Sequence, residues 1–268
     1  MSTVTKQSDL KIGVMDSGVG GLTVVKELEA LVPNESFIYA GDNANCPYGN
    51  RGQDEIEALA RRMLDFLQKQ GVKAVAVACN TISTLIDRYA KDYPFPVFSI
   101  IKPAADYVVR SGIREVGVIA TEFTIKTGCY TRLIHEGDPT IEVYGEPSRD
   151  LAMLVDRGDF DMAAIEADIR NHVGALRKAH PVKDIILGCT HFPIVQDVFQ
   201  RAAPDVRFIN PAREQALAVK RCLEERGLSS GQARHGFDVY TSGSTKVYET
   251  ILGKLGITAA AKIQTVRF

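Results

Sequence analysis

The chain of 268 residues has no apolar run long enough to span a bilayer, and its first residues, Met1 to Leu10, are polar where a signal peptide would carry an apolar core. A cytoplasmic protein without a membrane partner is expected. The chain also lacks an excess of either charge: 32 Lys and Arg stand against 33 Asp and Glu, for a formal net charge of -1. No stretch concentrates basic residues enough to track a phosphate backbone, so a small molecule is a better expected partner than nucleic acid.

Two further absences narrow the chemistry. The five cysteines form no Cys-x-x-Cys pair and no dense array, which excludes a disulfide framework and a zinc knuckle and leaves free thiols. No Lys stands in a setting that marks a pyridoxal phosphate Schiff base, and nothing resembles the serine elbow of a hydrolase. What is present is an ordinary globular mixture, 45% hydrophobic and 24% charged, on a chain whose length suits two modest domains sharing a cleft.

Short apolar, β-branched runs recur at 11–16, 36–42, 74–79, 97–100, 116–121, 141–146, 184–189, 207–210 and 238–242, each reading as a strand buried on both faces. Helical periods lie between them, most clearly over 54–70, where Ile56, Leu59, Ala60, Met63, Phe66 and Leu67 share one face. Strands alternating with amphipathic helices predict an α/β fold with parallel sheets, whose ligands collect beyond the carboxyl ends of the strands. Those ends carry Asp16, Asp42, Cys79, Thr121, Cys189 and Asn210.

Two ends echo each other. Val-Ala-Val-Ala-Cys79-Asn80-Thr81 and Ile-Ile-Leu-Gly-Cys189-Thr190-His191 each run small or apolar residues into a cysteine, 110 positions apart, and each then turns helical, the second with Pro193 suited to a first turn. A thiol at a helix N-terminus has its thiolate favoured by the helix dipole and unpaired N–H groups. A single cysteine ending a buried strand is more often a small hydrophobe. A matched pair with polar neighbours points instead to acid-base work by thiols. Cys129 and Cys222 fall in helical segments and read as packing residues, and Cys46, in a loop beside Pro47, reads as a bystander near the cleft.

The segment Asp16-Ser17-Gly-Val-Gly-Gly-Leu-Thr23 opens a helix after the first strand, and Asp42 ends the next, which together suggest a nucleotide-dependent dehydrogenase with a reactive cysteine. Thr23 at the third glycine position and the Asp16 carboxylate where a pyrophosphate would sit weigh against it. Asp16 and Ser17 can equally be helix caps. His191 could join Cys189 on a zinc ion, but a metal site needs three or four ligands, and with no second Cys-His cluster in the sequence no metal is expected.

At these residues the chain resembles the glutamate racemase family of the aspartate/glutamate racemase superfamily. The landmarks are Ile12 to Thr23, Gly41-Asp42, Pro47-Tyr48-Gly49, Ala78-Cys79-Asn80-Thr81, Val116 to Thr121 with Thr124, and Leu187-Gly-Cys-Thr-His-Phe-Pro193, in the family's order over roughly residues 12–210. The resemblance implies two pseudosymmetric α/β domains, residues 1–103 with 212–268 and residues 104–211, around an interdomain site that needs no cofactor. It also implies a cytoplasmic homodimer that supplies D-glutamate for peptidoglycan. Cys79 is then expected to deprotonate the D-enantiomer and Cys189 the L-enantiomer, with Asp16 near the first thiol and His191 near the second. Asn80, Thr81 and Thr190 are suited to cradle the α-carboxylate, and Ser17, Pro47, Tyr48, Gly49, Thr121 and Thr124 to complete the pocket. The chain departs from the family at Glu146-Pro147, at Asp156, an acid one methylene shorter than usual near His191, at Asn210-Pro211 and at Cys46. A racemase of aspartate and a catalytically silent scaffold are the neighbouring alternatives.

Overall fold

The structure, a computed structural model, describes residues 6–231, 233, 236–257 and 261–268; the opening Met1 to Thr5 of the polar N-terminus lies outside the described residues. Ten strands are described: β1 (Lys11–Asp16), β2 (Phe37–Gly41), β3 (Val72–Val77), β4 (Val97–Ser99), β5 (Glu115–Thr121), β6 (Glu142–Ser148), β7 (Asp184–Gly188), β8 (Arg207–Ile209), β9 (Phe237–Thr241) and β10 (Ala261–Thr265). Every described pairing is parallel, in a six-stranded sheet of order β10-β9-β2-β1-β3-β4 and a four-stranded sheet of order β6-β5-β7-β8. The expected α/β fold with two parallel sheets is what the chain forms.

The second sheet repeats the β2-β1-β3-β4 part of the first. In each, the chain steps outward from the first strand and then crosses back to its other side, so a crevice opens at the carboxyl ends of the first and third strands. Cys79 and Cys189 both follow the third strand of their sheets. The short echo around the two cysteines is thus the visible trace of a repeat in topology.

Side-chain alternation divides the core. Ile12 and Val14 of β1 face one cluster with Val24, Val25 and Leu28 of helix Leu22–Leu31 and Val219 of helix Pro211–Glu225, while Met15 faces the other with helix Gln53–Lys69. That last helix matches the 54–70 expectation to one residue and buries Ile56, Leu59, Ala60, Met63, Leu64 and Leu67. Each large aliphatic side chain so buried contributes about 1.5–3 kcal/mol. Phe66, only half-buried, packs edge-on against Tyr240 and Phe268 with centroids 5.0 and 5.2 Å away. Helix Pro211–Glu225 packs on both Leu22–Leu31 and Ile101–Arg110, and its Gln215 amide donates to the carbonyls of Val77 and Phe98 at 2.9 Å each. The end of β3 that leads into Cys79 is thereby fixed from behind.

Apart from strand ends, burial on both faces holds for β1, β2, β3, β5 and β7 and fails at the sheet margins and in β9. Edge strands β4 and β6 are half-buried or exposed along most of their length because helix cover stops at the sheet margin. β9 alternates, and its half-buried Asp238 pairs with Lys11 at 2.5 Å. The sequence reading contains no strand at Ala261–Thr265, where Lys262 and Gln264 interrupt the apolar pattern of an edge strand.

The end of the first sheet opposite the cysteines is anchored by a buried ion. Lys73 of β3, wholly buried, reaches Glu35 Oε2 at 2.5 Å and the carbonyls of Ser8 and Leu228 at 2.6 and 2.8 Å. Replacing Lys73 by Met strands the Glu35 carboxylate in the interior and should lower the unfolding free energy by about 3–5 kcal/mol in a urea titration. A loss below about 1 kcal/mol would show that the pair behaves as a solvated one.

Candidate active site

Each candidate thiol sits where a third strand gives way to a helical turn. Cys79 is the N-cap residue of the short helix Asn80–Ser83, and Cys189 directly follows β7, three residues before the start of the 3₁₀ turn Phe192–Val195 that carries Pro193 in its first positions. Both are buried, at 6% and 7% exposure, and both line one cavity of about 20 Å³ between the sheets. Such a space admits about one water molecule, so an amino acid requires the two halves to part.

The same cavity is lined by Ser17, Pro47, Tyr48, Gly49, Asn80, Thr81, Thr121, Thr190 and His191. Of the residues expected in the pocket or at the thiols, Asp16 and Thr124 lie behind the wall. Asp16 is wholly buried; its carboxylate accepts from the Gly18 N–H at 2.8 Å and from the Thr190 hydroxyl at 2.9 Å, across the two sheets. Burial raises its pKa, against the pull of His191. Thr124 belongs to a hydroxyl cluster with Thr121 at 2.9 Å and Thr81 at 3.3 Å. Neither Asp16 nor Ser17 caps a helix: the next helix begins at Leu22 with Gly21 as its N-cap, and the Ser17 hydroxyl lies 3.6 Å from Cys79 Sγ.

The two thiols have different surroundings. Burial, and then the Asp16 carboxylate, push the Cys79 thiol up to about 12, against the hydrogen bonds of Ile82 and Ser17. This corrects the expectation that its helix terminus favours the thiolate: a four-residue helix offers too little field to outweigh a buried carboxylate. Cys189 Sγ instead lies 3.6 Å from His191 Nδ1, and His191 Nε2 lies 2.8 Å from Asp156 Oδ1. Burial opposes the charge of His191, but its hydrogen bonds to Asp156 and Cys189 outweigh burial and raise its pKa well above the usual value. Asp156 shifts downward, burial being overcome chiefly by His191. A carboxylate, an imidazole and a thiol therefore stand in line.

Departures in sequence separate into two kinds here. Glu146 engages His172 Nδ1 at 2.7 Å, and Asn210 caps helix Pro211–Glu225 through the Ala212 N–H at 3.0 Å, so neither lines the cavity. Asp156 touches His191, and Cys46 stands in the cavity wall. Cys46 does approach the cleft, as its place beside Pro47 allowed: the loop that presents Pro47, Tyr48 and Gly49 carries its thiol along, and the only signal in the sequence was that adjacency. Cys129 and Cys222 sit in helices away from the cavity. Asp42 is occupied by the Tyr48 hydroxyl at 2.6 Å, the Ser242 hydroxyl at 2.5 Å and the Asn45 amide at 3.0 Å, which leaves it poorly placed to hold a ribose.

No Lys or Arg lines the cavity; His191 is its one basic side chain, and its other side-chain donors are neutral. Asn80 is turned by Tyr130, whose hydroxyl donates to Oδ1 at 2.7 Å, and the buried Nδ2 has no hydrogen-bond partner among the described residues. A buried amide donor without an acceptor is costly unless a ligand supplies one. Outside, beyond Gly49, lies a larger recess of about 500 Å³ walled by Arg51, Lys126 and Arg149 with Glu122. Cations thus wall a recess that shares Gly49 with the inner cavity, while the inner cavity holds thiols, hydroxyls, His191 and one unpaired amide.

Comparison with known proteins places this geometry. The family model described as Asp/Glu/hydantoin racemase matches residues 12–219. A glutamate racemase of Desulforudis audaxviator is 34% identical, over 91% of this chain and 92% of that protein. Among solved structures, a glutamate racemase isoform from Bacillus anthracis superposes with a TM-score of 0.91 at 30% identity, covering 97% of this chain and 98% of that one. The glutamate racemase of Francisella tularensis in complex with D-glutamate gives 0.88 at 30% identity with the same coverage.

Because its thiol ionises only near pH 12, Cys79 should be alkylated by iodoacetamide at a rate that rises about tenfold per pH unit from pH 7 to 10 without levelling. Peptide mass spectrometry distinguishes it from the other cysteines. A plateau by about pH 9, as for an ordinary thiol, would show that burial and Asp16 do not hold the proton on.

Proposed function

The chain belongs to the Asp/Glu/hydantoin racemase family, and from that premise we propose that it interconverts L- and D-glutamate by proton transfer at Cα between Cys79 and Cys189. The observation that carries the reading is the pair of thiols, one at the equivalent strand end of each repeated sheet, lining a single cavity. Inversion at Cα needs a proton removed from one face and another delivered to the opposite face, and a single base tends to return the proton it took. A thiol from each half meets that requirement without a cofactor.

In the L-to-D direction the Cys189 thiolate takes the Cα proton, the C–H electron pair stays on Cα delocalised toward the carboxylate oxygens, and that pair then takes the thiol proton of Cys79 on the other face of Cα. The cysteines then stand with their protonation states exchanged, ready for the D-enantiomer. The substrate ammonium, entering a cavity without Lys or Arg, favours the Cys79 thiolate that burial resists. Asn80 Nδ2 and the N–H groups at the start of Asn80–Ser83 suit the α-carboxylate, where charge builds up as the proton leaves. His191, held by Asp156, supports the Cys189 thiolate, and Asp16 acts beside Cys79 by orienting Thr190 and the Gly18 turn.

Glutamate rather than aspartate is supported by the names of relatives that match over nearly the whole chain. The reading extends to a cytoplasmic homodimer supplying D-glutamate to peptidoglycan. Its two halves are residues 1–103 with 212–268 and residues 104–211, a division that the membership of strands in the two sheets supports. Among the described residues, no helix is long and apolar enough to cross a membrane.

In D₂O the purified protein should exchange the Cα proton of both glutamate enantiomers and leave aspartate untouched. Cys79→Ser and Cys189→Ser should each slow racemisation by at least about 10²-fold in both directions; wild-type rates in both variants would remove the two-thiol reading. Gly20 offers a second test, because a Cβ there would stand 2.4 Å from Thr190 Oγ1 and 2.8 Å from the His191 nitrogen. Gly20→Ala must displace the Cys189 loop and should lower kcat/KM about 10²-fold, through kcat more than KM. An unchanged kcat would show that the loop position is not critical.

A further inference from the structure

We infer that Cys46, Asp156 and His191 form a binding site for a soft divalent cation of the zinc class, and that an ion held there blocks the Cys189 side of the active site. The sequence offers no metal spacing: the three residues lie in a loop, at the end of helix Leu151–Asp156 and after β7. Folding brings one ligand atom from each to within 4.8 Å of the others. Zinc sits about 2.0–2.3 Å from nitrogen, oxygen and sulfur ligands, which leaves two ligands of one ion roughly 3.5 Å apart. Side-chain rotations of about an ångström close the difference.

Three independent features favour a cation at this point. The donor set of one thiol, one imidazole and one carboxylate suits a borderline-soft ion and disfavours magnesium. The Asp156 carboxylate is already oriented, by the Val19 N–H at 3.2 Å and by the Asn43 amide at 3.2 Å. Outer contacts of this kind raise metal affinity by fixing the ligand. Gly18 also clears the space, since a Cβ there would fall 2.4 Å from Asp156 Oδ1 and 3.2 Å from Cys46 Sγ. The buried Asp16 carboxylate adds negative charge nearby, and no Lys or Arg lines the cavity to compete with the ion.

Coordination displaces the Cys46 thiol proton and the proton on His191 Nε2, both of which pass to water, and the His191–Asp156 hydrogen bond is replaced by two bonds to the metal. His191 then cannot exchange protons, and the ion occupies the cavity wall beside Cys189. Binding itself is independent of the proposed reaction; the inhibitory part rests on the racemase reading.

The test uses the intact protein with cobalt(II) alone, then zinc. Wild type should bind one cobalt equivalent with a thiolate-to-cobalt absorption band, and both Cys46→Ser and Cys46→Ala should lose the band and bind at least about tenfold more weakly. Retention of the band in both folded variants would place the metal on Cys79 or Cys189 and overturn the site, as would its absence from wild type. Circular dichroism melts verify that the variants are folded. Zinc, but not magnesium, should inhibit glutamate racemisation reversibly on addition of a chelator, with the inhibition constant raised at least about tenfold by Cys46→Ser. Cobalt binding without zinc inhibition would overturn the block. The absorption measurement needs no turnover, so failure of the racemase reading would leave the metal site tested.

Discussion

The Asp16 carboxylate is the constraint around which the two halves are arranged. It is wholly buried, at the carboxyl end of β1, and one of its oxygens takes the Thr190 hydroxyl from the loop after β7. A buried carboxylate is tolerated only when its oxygens are satisfied, so the Gly18 turn and the Cys189 loop must both approach it. Gly20 and Gly21 allow that approach: a Cβ at Gly21 would lie 2.8 Å from the Asp16 Cβ, and one at Gly20 would meet Thr190. The glycine-rich turn that looks in sequence like a phosphate cradle is thus shaped by contact between two sheets, and its anion is the protein's own.

Other polar contacts crossing between the halves surround the same cavity. Thr81 meets Thr121 at 3.0 Å, Tyr130 meets Asn80, and Asp156 receives the Val19 N–H and the Asn43 amide. Hydrogen bonds of this kind contribute little net stability each, because water replaces them when the halves part. An apolar seam of equal area would resist opening more strongly. A cavity closed to about one water can therefore still admit a substrate.

The fold class, the helix over 54–70 and the two strand-end cysteines were legible because each rests on local pattern: period, apolar runs, and polar residues where runs stop. Most of the cavity wall followed from the family resemblance. What was not legible depends on tertiary position. β4 and β6 read as buried strands, but the sheet margin leaves them uncovered. The Cys79 thiol stands at a helix start that locally favours ionisation, and burial, joined by a carboxylate 63 positions earlier in sequence, reverses the sign. Cys46 carries no motif of its own and enters the cavity only because the Pro47–Gly49 loop folds over it.

The polarity of the cavity explains why one site can serve glutamate and a soft cation. Asp16 and Asp156 contribute buried or nearly buried carboxylates, and His191 is the one basic side chain on the described wall. Glutamate brings an ammonium group to these negative surroundings and places its carboxylates on neutral donors such as Asn80. The ammonium lowers the cost of the Cys79 thiolate, which burial and the Asp16 carboxylate oppose, for as long as substrate is present. A divalent ion exploits the same field more strongly, since its charge is doubled and it bonds the thiolate directly. Cys46 decides between the two outcomes: with a thiol there the Asp156–His191 pair becomes a three-point ligand set, and without one it is left as a hydrogen-bonded relay to Cys189.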